Sequence, residues 1–330
     1  MKTLVRFVFV VVILLIAGGG LLWRSLKEPY QGFQEAKILD FPRGTSTGEM
    51  AMELETNGVI RSSWLFRILK VLSPGAALQA GEYKFDKPES TLEVFRKIAR
   101  GDTFYYELVV PEGQNMFDIA ESIRELKIFP AERFLQAARD PELIKDLDPL
   151  APSLEGYLFP DTYRVNRQTT AKGLCRTMTS RFRAMWQKLN TQADAHQVVT
   201  LASLVEREAH NPDERPLVAS VFHNRLSIGM KLDCDPTTVY AALLEGRYRG
   251  TIHKSDLESE SKYNTYAHPG LPPGPIATPG IGSIKAALAP AETEYLYFVA
   301  KGDGSGGHTF SQSLAKHLAA VAGYRKNTRN

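Results

Sequence analysis

Glu206 has the residue type and setting of a catalytic acid. It ends the apolar run of the segment Leu201-Ala-Ser-Leu-Val-Glu-Arg-Glu208. On a helix, at about 100° per residue, Glu206 and Glu208 point about 200° apart, so they cannot form one catalytic pair. Apolar surroundings would raise the pKa of either carboxyl, as a general acid at neutral pH requires. The alternative is two solvated carboxylates on the flanks of the helix, one paired with Arg207 or Arg215.

Two loop motifs downstream have the composition of a binding wall. The first is Tyr263-Asn-Thr-Tyr266, and the second is Gly270-Leu-Pro-Pro-Gly-Pro-Ile-Ala-Thr-Pro-Gly280. Four prolines and three glycines make the second loop stiff, so it loses little entropy on binding. Aromatic faces stack on sugar rings, and Asn264 or Thr265 could bond an N-acetyl group. The alternative is a structural Pro-Gly corner in which the tyrosines are packing residues.

Helices are expected to position these motifs. Asn211-Pro212 has the pattern of a helix start, and a helix with apolar core positions is predicted from Leu217 to Leu226. Asp235-Pro236 is predicted to begin another helix, which ends near Gly246. Helix pairs joined by short turns can frame a groove beside Glu206.

The N-terminal segment predicts a membrane anchor. Residues 7–23 are uncharged, and the apolar stretch approaches the roughly 20 residues that span a bilayer as a helix. Lys2 and Arg6 precede it, so the positive-inside rule keeps the N-terminus cytoplasmic and exports the rest. A cleaved signal peptide is the alternative, but no small-x-small cleavage site is evident. Residues 1–24 are therefore predicted as the cytoplasmic tip and anchor, and residues 25–37 as a stalk.

A faint internal repeat follows the stalk. Ile38-Leu-Asp-Phe-Pro-Arg-Gly44 resembles Leu108-Val-Val-Pro-Glu-Gly113, and each copy predicts a strand, a Pro-x-Gly turn and an amphipathic helix. The strand–helix–helix–strand order of the first copy resembles LysM modules, which bind N-acetylglucosamine-containing glycans. A small spacer domain that binds nothing is the alternative. We expect a LysM-like α+β region at residues 38–150 and a mostly helical α+β catalytic domain at residues 151–330.

Composition narrows the function classes. The chain has 330 residues, 43% hydrophobic residues and a net charge of +3 with both signs interspersed, so nucleic acid is not an expected partner. The two cysteines, Cys175 and Cys234, lack zinc-site spacing and are expected to be unrelated buried thiols. The sequence contains no zinc-binding His-Glu-x-x-His, Gly-x-Ser-x-Gly or phosphate-binding glycine loop, so neither metal nor cofactor is predicted.

Several motifs in order resemble the endolytic murein transglycosylase (YceG-like) family. They include the Glu206 segment, the two loops and three further segments: Val218-Ala-Ser-Val-Phe-His-Asn-Arg-Leu, Asp235-Pro-Thr and Leu154-Glu-Gly-Tyr-Leu-Phe-Pro-Asp-Thr-Tyr. The resemblance implies that Glu206 is catalytic. It also implies substrate contacts by residues within these motifs, namely Tyr263, Asn264, Thr265, Tyr266, Glu155, Asp235 and Thr278. His223 departs from the family pattern, so its role stays open.

The resemblance implies a single-pass protein of the bacterial inner membrane whose catalytic domain is periplasmic. Its substrate would be the glycan strand of peptidoglycan, cut between N-acetylmuramic acid and N-acetylglucosamine. The cut would leave 1,6-anhydro ends rather than hydrolysed ends, because one carboxyl can serve both proton transfers. Nascent glycan is the expected target, with penicillin-binding proteins and other wall-synthesis enzymes as partners. A muramidase-type hydrolase and a non-catalytic glycan-binding scaffold are the alternatives.

Overall fold

The computed structural model describes residues 2–327 and contains helices and small two-stranded sheets. The helices are α1 (Lys2–Lys27), α2 (Thr47–Thr56), α3 (Ser63–Leu72), α4 (Thr91–Arg100), α5 (Met116–Leu126), α6 (Ala131–Ala138), α7 (Ala171–Lys188), α8 (Ala195–Glu208), α9 (Arg215–Ser227), α10 (Asp235–Leu244), α11 (Lys254–Leu257), α12 (Ile281–Leu288) and α13 (Leu314–Asn327). The strands are β1 (Pro29–Tyr30), β2 (Lys37–Phe41), β3 (Gly81–Phe85), β4 (Glu89–Ser90), β5 (Tyr106–Val110), β6 (Asp161–Val165), β7 (Tyr297–Ala300) and β8 (His308–Ser311). Short 3-10 turns occupy Pro141–Leu143 and Pro212–Glu214. The expected mixture of helices and small sheets is confirmed.

The chain divides into two compact units at a different place from the predicted boundary. The first unit runs to Tyr106 and includes Asn166–Gln168, and the second comprises Glu107–Val165 and the chain from Thr169 onward. The boundary expected at residue 150 is wrong because β5 pairs with β6, which follows that position. Pairing between strands so far apart in sequence leaves no local signal in either segment.

The first unit has the predicted strand–helix–helix–strand order. β2 and β3 are antiparallel, with Leu39 opposite Tyr83, and α2 and α3 connect them. Phe41, Phe66 and Tyr83 are fully buried in its core. This order is also that of the LysM-like prediction, but glycan binding by the unit stays a prediction.

The segment predicted as a stalk is packed against the first unit. α1 continues to Lys27, and Leu26 and Phe33 belong to the core of that unit. β1 pairs with β4, which fixes the chain directly after α1. Residues 25–37 are therefore not a free stalk, because Leu26 and Phe33 are buried in the core of the first unit.

The internal repeat is confirmed in backbone structure. β2 and β5 each lead through a Pro-x-Gly turn, with Gly44 and Gly113 at positive φ, into α2 and α5. Both helices begin with a capping box, from Ser46 in the first copy and Asn115 in the second. The equivalent core positions are Met50, Ala51 and Leu54 in α2 and Ile119, Ala120 and Ile123 in α5, and all six are buried.

Helix α8 lies at the centre of the second unit. Asp194 caps its first turn, and every residue from Val198 to Val205 is buried. α8 packs against α9, α10 and α12, which sets the direction of its last turn. Cys175 and Cys234 are buried free thiols, as the sequence predicts.

Candidate active site

Glu206 lies in the last turn of α8, directly after the buried Val205. Its side chain is only 6% exposed, and both carboxylate oxygens are held by nitrogen donors. Arg215 Nη2 donates to Glu206 Oε1 at 3.1 Å, and the backbone N–H of Gly280 donates to Oε2 at 2.9 Å. The carboxylate is therefore fixed in orientation by two elements outside its own helix.

Arg215 also binds a second carboxylate. The same Nη2 atom donates to Glu112 Oε2 at 3.2 Å, and the Glu112 side chain is 43% exposed. Because the two carboxylate oxygens share one nitrogen, they are at most about two hydrogen-bond lengths apart. One guanidinium thus joins a shielded carboxylate to a solvent-facing one.

Backbone hydrogen bonds bring the two loops of this cluster together. The N–H of Gly113 donates to the carbonyl of Thr278 at 2.8 Å, and the N–H of Thr278 donates to the carbonyl of Gln114 at 2.6 Å. Arg207 Nη1 adds a bond of 2.9 Å to the carbonyl of Gly113. The β5–α5 turn and the end of the Pro-Gly loop are therefore clamped to each other and to α8.

Two glycines make room for the charged side chains. A Cβ on Gly280 would lie 1.9 Å from Glu112 Oε1, and a Cβ on Gly282 would lie 2.3 Å from Arg215 Nη1. Both distances are shorter than any van der Waals contact, so an alanine at either position would displace the neighbouring side chain. The absence of a side chain at Gly280 and Gly282 is thus required by the position of Glu112 and Arg215.

Glu208 faces a different environment, on the opposite flank of α8. It accepts a hydrogen bond of 3.2 Å from the Cys234 thiol, and burial raises the pKa of its carboxyl. It lines a cavity of about 800 Å³. The apolar surroundings predicted for either carboxyl are found at Glu208 and not at Glu206, whose oxygens contact Arg215 and Gly280. Glu206 pairs with Arg215, as the alternative allowed, but that carboxylate is shielded and not solvated as the alternative required.

Tyr266 and Asp235, two of the predicted substrate contacts, lie together on the Glu208 flank. The Tyr266 hydroxyl donates to Asp235 Oδ1 at 2.7 Å, and both residues line the same cavity. Asp235 is exposed. Tyr263 is half-buried and packs its ring 5.1 Å from that of Tyr240. Of the predicted contacts, Tyr266 and Asp235 are thus available to a ligand.

Asn264, Thr265 and Thr278 are fully buried, so the structure does not support direct contact with a substrate. The Asn264 amide donates to the carbonyls of Leu257 and Ser259, which closes the loop on itself. Thr265 Oγ1 accepts from the backbone N–H of Cys234. Thr278 takes part through its backbone, and its buried hydroxyl has no hydrogen-bond partner. These residues shape the loops from inside.

Glu155, a further predicted contact, is also buried and acts within the structure. Its Oε2 accepts a 2.9 Å hydrogen bond from the N–H of Met116, the first residue of α5, and Tyr240 also bonds the carboxyl. Burial raises the pKa of Glu155 to about 7. Glu155 therefore fixes the start of α5, directly after the turn that carries Glu112.

Glu112 and Gly280 were not predicted as site residues from the sequence. Glu112 lies in the second Pro-x-Gly turn of the repeat, where the first copy has Arg43, and this difference was a signal that could have identified it. Gly280 was identified only as part of a stiff loop. Within the described residues 2–327, no group of three or more His, Cys, Asp or Glu side chains could hold a metal ion.

Comparison with known proteins identifies the family. The model of the YceG-like family matches residues 39–323. An endolytic murein transglycosylase of Bacillus subtilis (strain 168) is 33% identical over 333 residues, covering 94% of this chain and 91% of the relative. A protein of the same name from Streptococcus pneumoniae serotype 2 is 29% identical over 78% of this chain and 53% of the relative. The crystal structure of a putative YceG-like protein from Listeria monocytogenes has a TM-score of 0.55 and 31% identity, covering 87% of this chain and 99% of that one. This chain belongs to the YceG-like family.

Proposed function

We propose that the protein is a membrane-anchored endolytic lytic transglycosylase of peptidoglycan. It cleaves the bond between N-acetylmuramic acid and N-acetylglucosamine within a glycan strand and leaves a 1,6-anhydro end. The names of the Bacillus and Streptococcus relatives support this activity. The structural observation that carries the proposal is Glu206, a nearly inaccessible carboxylate held at both oxygens beside two clamped loops.

In the proposed mechanism, Glu206 transfers protons in both halves of the reaction. Protonated Glu206 donates to the glycosidic oxygen as the bond to the muramic anomeric carbon breaks, and an oxocarbenium-like transition state develops. The Glu206 carboxylate then takes the proton of the 6-hydroxyl of the same sugar, whose oxygen bonds to the anomeric carbon. The proton balance closes on one residue, so no water has to be positioned.

Arg215 and Glu112 act as positioning residues in this scheme. Glu206 cannot keep its ion pair with Arg215 when it is protonated, and a buried guanidinium without a partner is costly. Glu112 already accepts a hydrogen bond from the same Arg215 nitrogen, so it can remain the anionic partner of the guanidinium while Glu206 is protonated. When Glu206 becomes a carboxylate again, Arg215 pairs with it without a large movement.

The glycan would be bound by the exposed polar and aromatic groups of the loop motifs. Tyr266 and Asp235 are hydrogen-bonded to each other at the edge of a large cavity on the Glu208 flank of α8. They are the proposed contacts for a part of the strand away from the cleaved bond, because Glu206 lies on the opposite flank. Asn264 and Thr265 are buried beneath this surface and support it from inside. Thr278 and Glu155, which are also buried, support the turn beside Glu206 instead. Tyr263 has an intermediate position and packs on Tyr240.

The proposal includes retention of α1 as a single-pass anchor in the bacterial inner membrane. Leu4–Lys27 is long and apolar enough to span a bilayer, with a mean hydropathy of 2.6. The last turn of this helix lies in the core of the first unit, which favours an anchor over a removed signal sequence. The N-terminus would be cytoplasmic and the catalytic unit periplasmic, close to nascent glycan and to penicillin-binding proteins and other wall-synthesis enzymes.

One observation favours a second candidate function, a muramidase-type hydrolase. A retaining glycosidase needs two carboxyl groups roughly 5–5.5 Å apart. Glu112 and Glu206 each lie within hydrogen-bond distance of one Arg215 nitrogen, so their spacing is compatible with that requirement. In such an enzyme Glu112 would be essential rather than a positioning residue.

Mass spectrometry of the products tests both candidates. The full chain, in detergent or vesicles, is incubated with glycan strands in water labelled with oxygen-18, beside Glu206→Gln. Anhydro ends without label, formed by the native protein only, are the expected result. Labelled reducing ends would establish the hydrolase, and equal cleavage by both proteins would remove Glu206 from the mechanism.

A further inference from the structure

Helix α3 carries apolar side chains on both its inner and its outer side. Leu65, Phe66 and Leu69 enter the core of the first unit. Trp64 and Val71 are 58% and 77% exposed, and their spacing of seven residues places them on one side of the helix. Leu72 is also exposed. Neighbouring exposed apolar side chains mark a contact surface, so the outer face of α3 is expected to have an apolar neighbour.

The charged residues of α3 are basic. Arg67 and Lys70 are its only charged residues, and Arg61 lies just before its start. A tryptophan and aliphatic side chains together with Lys and Arg are typical of helices that lie in the headgroup region of an anionic bilayer. The composition thus matches a lipid surface better than an acidic or a purely apolar protein partner.

The anchor helix places this face close to a bilayer. Leu22 packs against the core of the first unit and Leu26 is inside it, so the membrane-spanning part of α1 ends where that core begins. Arg61 Nη2 is 3.7 Å from Glu28 Oε1, and its guanidinium is 5.4 Å from the ring of Tyr30. The start of α3 is therefore beside the end of α1. A helix of ten residues is about 15 Å long, so no part of α3 is far from that point.

We propose that the outer face of α3, formed by Trp64, Arg67, Val71 and Leu72, lies in the headgroup region of the bilayer that α1 spans. The inference depends on retention of α1, which is part of the proposed function, but not on the catalytic role of Glu206. Two points of attachment restrict the swinging and rotation of the first unit about its anchor. Arg67 pairs with an anionic lipid phosphate, while Trp64, Val71 and Leu72 are removed from water.

Tryptophan fluorescence tests this placement, because the chain contains only Trp23, Trp64 and Trp186. Three forms of the full chain, each keeping one tryptophan and carrying phenylalanine at the other two positions, are reconstituted in vesicles of phosphatidylethanolamine and phosphatidylglycerol. Lipids brominated in the acyl chain quench tryptophans that contact the bilayer. We expect quenching of Trp64 close to that of Trp23, and none of Trp186, which is buried in the second unit.

The failures of the two proposals are distinguishable. Quenching of Trp23 without quenching of Trp64 overturns the α3 contact alone, and absence of quenching at both positions overturns the anchor itself. If Trp64 is shielded from aqueous acrylamide but unaffected by brominated lipid, a protein or a second copy covers α3 and the membrane proposal is wrong.

A double substitution of exposed residues provides a matched variant. Val71→Asn with Leu72→Asn in the Trp64-only protein removes apolar surface without entering the core, so the unfolding temperature should be unchanged. The expected result is a clear loss of bromolipid quenching at Trp64. Unchanged quenching would mean that the outer face does not hold α3 at the membrane, and would overturn the proposal.

Discussion

Arg215 Nη2 donates to Glu206 Oε1 at 3.1 Å, which joins the first residue of α9 to the last turn of α8. Glu112 shares that nitrogen, so the cluster has two anionic partners for one cation. Such an arrangement can release one partner and keep the other. The proposed acid–base role of Glu206 uses this property, because Glu206 must alternate between a neutral and a charged form.

Glu206→Gln should lower turnover by about 10²–10⁴, the usual effect of removing a general acid. Glu208→Gln is its matched control on the same helix. Glu208 lies on the opposite flank of α8 from Glu206 and bonds the Cys234 thiol, so the amide should leave turnover nearly unchanged. Strand cleavage followed by chromatography measures both. A large loss in Glu208→Gln with normal turnover in Glu206→Gln would exchange their roles.

Glu112→Ala should reduce turnover about fivefold, the equivalent of ~1 kcal/mol for a partly exposed ion pair. Gly280→Ala should have a similar effect, because its new Cβ would displace the Glu112 carboxylate. The two effects should not add, since Gly280→Ala has no carboxylate to displace once Glu112 is absent. A double-mutant cycle, in which turnover is measured for the native protein, the two single variants and the double variant, tests this expectation. Additive losses would show that Gly280 acts in another way, and a complete loss in Glu112→Ala would favour the hydrolase.

Glu155→Gln should flatten the dependence of stability on pH. The pKa of Glu155 is raised to about 7 in the folded protein, so the folded state binds its proton more tightly than the unfolded state does. The resulting stabilisation is complete at pH values below the ordinary glutamate range and is lost as pH rises to about 7, a change of ~3 kcal/mol. Urea unfolding between these pH values measures the slope. Glu208, whose pKa is also raised, gives the free energy of unfolding a pH dependence of the same sign, so the native protein must be compared with the variant. Identical pH dependences in the two proteins would contradict the raised pKa of Glu155.

Both thiols should resist alkylation in the folded protein. Burial raises the pKa of Cys175 to about 12, and burial beside Glu208 raises that of Cys234 well above its usual value. The thiolate is the reactive form, so iodoacetamide should add no mass in native buffer and two groups after unfolding in denaturant. One group added in native buffer would show that the cavity beside Glu208 opens to solvent. No addition after unfolding would indicate a disulfide instead.

Asn264→Ala and Tyr266→Phe should separate support of the loop from contact with substrate. Asn264→Ala leaves the Leu257 and Ser259 carbonyls without their donor, so we expect a loss of about 1–3 kcal/mol in the free energy of unfolding. Tyr266→Phe removes only the hydroxyl that bonds the exposed Asp235 and should raise KM while leaving stability nearly unchanged. Thermal unfolding and steady-state kinetics distinguish the two. An unchanged KM in Tyr266→Phe would remove that residue from the proposed binding surface.

Local patterns were sufficient to predict the secondary structure of much of this chain. The Pro-x-Gly turns and the apolar spacing of the residues after them predicted both copies of the repeat, including α2 and α5. The opposite orientation of Glu206 and Glu208 also followed from helix geometry alone. These features depend on residues within a few positions of one another, which is the range that sequence periodicity records.

Contacts between distant segments were decided only by the tertiary structure. Pairing of β5 with β6 moved the boundary between the units, and the core around Leu26 replaced the predicted stalk. The sequence predicted Glu206 as the catalytic carboxyl, and this stays a prediction. Its pairing with Arg215, which also binds Glu112, depends on three segments that approach only in the folded chain. Among the predicted substrate contacts, Asn264 and Thr278 are buried whereas Asp235 and Tyr266 are not. The sequence could not distinguish them, because residue type alone does not determine which side of a loop faces solvent.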